Sequence, residues 1–159
     1  MCGIAGLIHR GKTGDIGREM TAMLQSLKHR GPDSTGYALY GKPRERELVV
    51  RFKTAEQADM SKGFDIHHQV QERRAEVDRR LAELGAKILE ADAATEYAFR
   101  YRIAFEGDLR RLADFLEDVE GAEILSMGHG LELIKDLVAP GARWLDWCED
   151  LLDGGYISA

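Results

Sequence analysis

Long apolar runs are missing from this 159-residue chain. No window approaches the roughly 18 consecutive apolar residues that a membrane-spanning helix needs. The start has no basic stretch followed by an extended apolar one, which argues against secretion. Cysteine is scarce: Cys2 and Cys148 could pair only once, and a thiol this near the N-terminus is best kept reduced, so the expected location is cytoplasmic. A surplus of basic residues is also lacking. The net charge is −6, from 22 Lys and Arg against 28 Asp and Glu, and gives no support to a nucleic-acid partner. With 44% hydrophobic and 31% charged residues, the composition suits one ordinary globular domain.

The charge is unevenly spread. Residues 1–53 carry ten Lys and Arg against five Asp and Glu, whereas residues 54–159 carry twelve against twenty-three. That split suggests two segments of different character.

The first eight residues, Met1-Cys2-Gly3-Ile4-Ala5-Gly6-Leu7-Ile8, hold the clearest chemistry. With Met1 removed, Cys2 carries an α-amine and a thiol on one residue. Ordinary pKa values near ~8 and ~8.5 let that amine relay the sulfur's proton around neutral pH. The run from Gly3 to Ile8 reads as a buried strand with Cys2 at its start. Next comes a helix from Ile16 to Lys28 with Asp15 as N-cap and Ile16, Met20, Met23, Leu24 and Leu27 on its apolar face. It stops before Pro32. The loop His29-Arg30-Gly31-Pro32-Asp33-Ser34-Thr35-Gly36 then follows. Taken by itself it is a helix-terminating turn with a solvated arginine, held by side-chain to backbone hydrogen bonds from Asp33 and Ser34.

Taken in order, Met-Cys-Gly-Ile-Ala-Gly and then His-Arg-Gly-Pro-Asp-Ser-Thr-Gly resemble the start of class II glutamine amidotransferases. These are N-terminal-nucleophile enzymes whose mature cysteine releases ammonia from glutamine. The chain looks most like the amidotransferase domains or subunits associated with glutamate synthase and N-methylglutamate synthase. The likeness is strong over residues 1 to about 53 and vaguer beyond, resting there on element order and on the segment from Ser126 to Lys135. It implies an α+β fold, a partial αββα sandwich of antiparallel sheets with a small α+β segment inserted. It further implies Cys2 as nucleophile and Arg30, Gly31 and Asp33 as the glutamine-binding loop. The implied substrate is glutamine and the implied partner a synthase subunit, with no cofactor or metal in this chain.

Further along, 35–40 and 48–53 are β-rich runs joined by a charged connection, as in an antiparallel hairpin. Asp65 to Leu84 is an amphipathic helix rich in Glu and Arg. Near its start, His67 and His68 point about 100° apart, which is unfavourable for chelating one ion. Ala86 to Ala91 is a brief apolar run. Tyr97 to Phe105 alternates strictly, with Tyr97, Phe99, Tyr101, Ile103 and Phe105 on one side and Arg100 and Arg102 on the other. Aromatics interleaved with arginines can bind single-stranded nucleic acid, but the acidic whole favours a packed sheet face. Asp108 caps a helix over 109–119, residues 122–127 form a strand, and Gly128-His129-Gly130 is a turn before a helix over 131–138. At such a turn two glycines could bring backbone to an anion, although a plain turn is the better account of them. A last amphipathic helix carries Trp144, Trp147 and a buried Cys148, and residues 154–159 begin a strand. The expected organisation is core over 1–53, inserted segment over 54–142, and a return toward the core over 143–159.

One further absence bears on the resemblance. The family's oxyanion hole uses an Asn-Gly pair, and this chain has no asparagine. An arginine clamp for the glutamine carboxylate is also not recognisable downstream. Loss of one oxyanion donor costs about 10²–10³ in rate. Three readings follow: the N-terminal portion of a longer amidotransferase, one half of a split amidotransferase, or a non-catalytic interaction or regulatory subunit derived from one.

Overall fold

A computed structural model of the chain describes residues 3–10, 16–30 and 34–137. The fold is α+β, with antiparallel sheets and three helices among the described residues, an arrangement compatible with a sandwich. The described residues divide into two compact units, one drawn from residues 1–35 and 137–159 and the other formed by residues 36–136.

In the first unit the helix α1 spans Ile16–Leu27 and continues into a 3₁₀ turn, Lys28–Arg30. Met20, Met23, Leu24 and Leu27 of the expected apolar face are half-buried, and Thr21 beside them is buried. The expected buried strand over Gly3 to Ile8 is not formed. Residues 3–10 join no ladder, and Ile4 and Ile8 are 94% and 89% exposed. Exposure nevertheless alternates along this segment: Ala5, Leu7 and His9 are half-buried while Ile4, Gly6 and Ile8 are exposed. The segment thus has the two-residue period of a strand without a neighbouring strand among the described residues.

The second unit holds six strands: β1 (Ser34–Tyr40), β2 (Glu47–Lys53), β3 (Lys87–Ala93), β4 (Ala98–Ala104), β5 (Glu123–Gly128) and β6 (Leu131–Leu137). Two helices, α2 (Phe64–Glu83) and α3 (Leu109–Glu117), complete it. Four strands make one sheet in the order β3-β4-β2-β5, each neighbouring pair antiparallel. From β2 to β5 the chain therefore runs strand, helix, strand, strand, helix, strand, with β4 inserted between the two strands of the first crossover. That is the split β-α-β arrangement.

One face of this sheet makes the core. Leu48, Val50 and Phe52 of β2 and Phe99, Tyr101 and Ile103 of β4 pack with Val70, Val77 and Leu81 of α2 and Leu112 and Leu116 of α3. Phe52 meets Tyr101 edge-on with ring centroids 5.0 Å apart. Arg74 stacks on Phe99, its Cζ 4.7 Å from the ring centroid, and its Nε donates to the Tyr101 hydroxyl at 2.8 Å. Burial raises the pKa of that phenol to about 12. The alternating aromatics of β4 are thus core residues, unavailable to a nucleic acid. At the start of α3 the Asp108 side chain accepts from the backbone N–H groups of Arg110 and Arg111, as its N-cap position requires.

Two pairings differ from expectation. The runs 35–40 and 48–53 are strands but not a hairpin: β1 pairs with β6, while β2 lies between β4 and β5. Both edges of β2 are filled by partners distant in sequence, so β1 takes its own. Its ladder is tight, since a Cβ on Gly36 would lie 2.8 Å from the carbonyl oxygen of Ile134. The second difference is β6, expected as a helix. Leu131 and Leu133 point outward at 37% and 38% exposure, while Ile134 is buried and Glu132 is half-buried. A carboxylate in an inward position inverted the usual strand pattern and left a spacing that also fits a helix. The apolar run after Ala86 is the strand β3. Asp15, Trp144, Trp147, Cys148 and the strand expected over 154–159 lie outside the described residues.

Truncation of Leu81, which is fully buried, to alanine is expected to cost about 2–5 kcal/mol in urea unfolding. Changing Tyr40, 83% exposed, to serine is expected to stay within about 0.5 kcal/mol.

Candidate functional site

Of the four residues expected to form a site, Cys2, Gly31 and Asp33 lie outside the described residues. Arg30 is described and ends the 3₁₀ turn after α1, exposed. The structure brings it against the residue that follows Cys2 in the chain. A Cβ built on Gly3 would sit 3.1 Å from Cβ of Arg30 and 3.3 Å from Cβ of Leu27. A side chain at position 3 would be tighter than ordinary contact there and would require the end of α1 to give by a few tenths of an ångström. Gly3 and Arg30, 27 residues apart in the chain, are therefore neighbours in space.

The other end of residues 3–10 is also held on α1. Nε2 of His9 is 2.9 Å from Oε2 of Glu19. Residue 3 lies by residues 27 and 30, and residue 9 by residue 19, so the segment runs opposite in direction to the helix. Lengths agree: eight helical residues rise about 12 Å, within the roughly 20 Å that six extended residues can span. His9 was not expected in a site. Its alternation with Ala5 and Leu7 is one of burial, visible in the structure and not in the order of residue types.

A second constellation lies in the other unit, on the sheet face opposite α2 and α3. Arg51 and Arg100 are direct cross-strand partners, two like charges side by side. One carboxylate answers both. Nε of Arg51 donates to Oε2 of Glu132 at 2.7 Å, and Nε and Nη2 of Arg100 donate to its two oxygens at 3.0 Å each. The Arg51 side chain is only 4% exposed and that of Glu132 18%. Burial would raise the Glu132 pKa, but hydrogen bonds and charge from Arg100 and Arg51 outweigh it and hold the carboxyl below its usual range. The neighbouring cations are answered in the same way. Lys53 meets Glu56 at 2.6 Å and Glu123 at 3.0 Å, and Arg102 meets Glu47 and Glu90. Burial would lower the Lys53 pKa, but those two carboxylates more than offset it and raise it. This layer is a charge-compensated packing surface that joins β6 to the four-stranded sheet. Leu133 N–H adds to it by donating to the Ser126 hydroxyl at 2.9 Å.

The Gly128-His129-Gly130 turn connects two strands, so no helix N-terminus is available there for an anion. Nδ1 of His129 donates instead to the carbonyl oxygens of Arg44 and Glu47, at 3.1 and 2.8 Å. On α2, Nδ1 of His68 is 3.4 Å from Glu72. Among the described residues no group of three or more His, Cys, Asp or Glu is placed to hold a metal ion, and no helix is long and apolar enough to cross a membrane.

Two known proteins are similar over most of this chain. One is a protein of Methanothermobacter thermautotrophicus named "Putative glutamine amidotransferase", 29% identical over 142 residues, covering 86% of this chain and 43% of that protein. The other is "Glutamine amidotransferase-like protein GlxB" of Rhizobium meliloti, 29% identical over 143 residues, covering 88% of this chain and 42% of that protein. The chain spans less than half the length of these relatives. No family model matches, and no solved structure matches. Together the two relatives support a glutamine amidotransferase family for this chain.

Replacing Glu132 by Gln is expected to destabilise the protein by about 2–3 kcal/mol at pH 7, somewhat less than breaking a fully buried pair. Because the folded pKa of Glu132 is depressed, its contribution is complete above the unfolded carboxylate value of about 4.3. It is lost as pH falls through the lower folded value. Urea midpoints at pH 7, 4 and 3 should therefore converge for the native protein and E132Q on acidification.

Proposed function

We propose that this chain carries the nucleophile end of a class II, N-terminal-nucleophile glutamine amidotransferase site, related to those of the glutamate synthase group. Three observations support the reading: the order of the two motifs, the names of the two relatives, and the approach of Gly3 to Arg30. The last carries it, because it sets the residue that follows Cys2 in the sequence beside Arg30 of the second motif. In this reading Cys2, freed of Met1, attacks the side-chain amide carbon of glutamine as a thiolate. The carbon–nitrogen bond breaks, and ammonia leaves with the proton held by the Cys2 amine. Water then hydrolyses the γ-glutamyl thioester, releasing glutamate and restoring the thiol. Arg30, Gly31 and Asp33 line the glutamine pocket. Ammonia passes to a synthase partner, and the chain works in the cytoplasm without a cofactor of its own.

These 159 residues hold no asparagine, so the oxyanion donor that the family takes from Asn comes from outside them in this reading, from the remainder of a longer amidotransferase or from the other half of a split one. Turnover by these 159 residues alone is accordingly expected to fall about 10²–10³ below a complete site for each missing donor.

The test is incubation of the purified chain, with Met1 removal verified by intact mass, with a diazo-ketone analogue of glutamine. One adduct on Cys2, slowed by free glutamine and absent in Cys2→Ser, is expected. Labelling of Cys2 no faster than Cys148 and indifferent to glutamine, in this chain alone and again after addition of the candidate partner chain, would overturn the proposal in favour of a non-catalytic module.

A further inference from the structure

We infer that His9 is a positioning residue for the nucleophile, acting through Glu19 to fix the segment that leads out of Cys2. The inference rests on the amidotransferase reading for its consequence, and on separate geometry for its cause.

Residues 3–10 join no ladder among the described residues, so no row of inter-strand hydrogen bonds holds them in register. Two contacts with α1 are placed to do so. At one end Gly3 abuts Leu27 and Arg30. This contact limits how near the backbone can come, but apolar and Cβ contacts are tolerant of sliding along a helix. At the other end the 2.9 Å pair between His9 and Glu19 is directional and fixes one register of segment against helix. His9 is the more enclosed member, at 20% side-chain exposure against 46% for Glu19. The half-buried positions 5, 7 and 9 put the imidazole on the same side of the extended segment as Ala5 and Leu7.

A shift of one residue would turn that inward side out. Ile4 and Ile8 would face α1, Ala5, Leu7 and His9 would face away, and the peptide bond joining Gly3 to Cys2 would move by about 3.3 Å. Misplacement of a reacting group by about 1 Å can cost on the order of 10²-fold in rate. The His9–Glu19 pair is therefore suited to select one register, and through it one position for the residue that precedes Gly3.

The test compares His9→Ala, His9→Gln and Glu19→Ala with the native chain, all with Met1 removed. Two readouts are used: the second-order rate of Cys2 labelling by the diazo-ketone analogue, and amide hydrogen exchange of residues 3–10. In His9→Ala and Glu19→Ala we expect Cys2 labelling slowed about tenfold with the Cys148 rate unchanged. We also expect faster exchange confined to residues 3–10, with α2 as protected as before. In His9→Gln, whose side-chain amide can donate to Glu19, both readouts should return most of the way to native values. A native labelling rate in His9→Ala, or a His9→Gln variant as impaired as His9→Ala, would overturn the inference. If Cys2 shows no selective labelling either in the native chain alone or with the candidate partner chain added, the amidotransferase reading fails. The exchange arm then decides the tether by itself, and unchanged exchange of residues 3–10 in His9→Ala would overturn that too.

Discussion

The second unit depends on one carboxylate. Arg51 and Arg100 face each other across the β2–β4 ladder with their guanidinium groups on the same side of the sheet, an arrangement that is repulsive unless an anion is shared between them. Glu132 supplies it from β6. Removing that carboxylate would take from two neighbouring cations, one of them almost fully buried, the anion they share, and would leave Arg100 the longer 3.8 Å approach to Asp92. The shared anion therefore ties together three strands, two from one sheet and one from the other. It also explains why β6 carries an acidic residue where a strand of this kind ordinarily presents an apolar one.

The two faces of the four-stranded sheet show how differently the same strands can be used. Toward α2 and α3 the contacts are apolar and aromatic, with Phe52, Phe99 and Tyr101 fully or nearly fully buried. Toward β6 the same strands present Arg51, Lys53, Arg100 and Arg102, each matched by glutamates from neighbouring segments. Hydrophobic burial drives the first face. The second contributes geometric selectivity, because hydrogen-bonded ion pairs tolerate few alternative alignments.

Much of this was legible in the residues. The helices α2 and α3, the Asp108 cap and the half-buried strand β4 follow from periodicity and capping, which are local signals. What escaped was non-local. The inward Glu132 makes sense only once Arg51 and Arg100 are known to be adjacent, and nothing within 131–137 announces it. Likewise β1 and β2 read as a hairpin because they are consecutive, whereas their partners come from positions far along the chain. At the candidate site, the resemblance named Cys2, Arg30, Gly31 and Asp33, of which Arg30 alone is described, beside Gly3. The His9–Glu19 pair, in contrast, joins a residue of a presumed strand to the middle of a helix, a contact that periodicity alone does not specify.

The split β-α-β order also sets the sequence of events by which the sheet can assemble. Ile88 lies opposite Ile103, so β3 and β4 meet after closing a short loop. Val50 must wait for Tyr101 on one side and Met127 on the other. The central strand is thus the last to gain its neighbours, and the entropy of closing those long loops falls on the step that seats β2. Until then the apolar side of β2 remains open to solvent, and the time spent in that half-made state governs how readily chains meet one another instead of themselves.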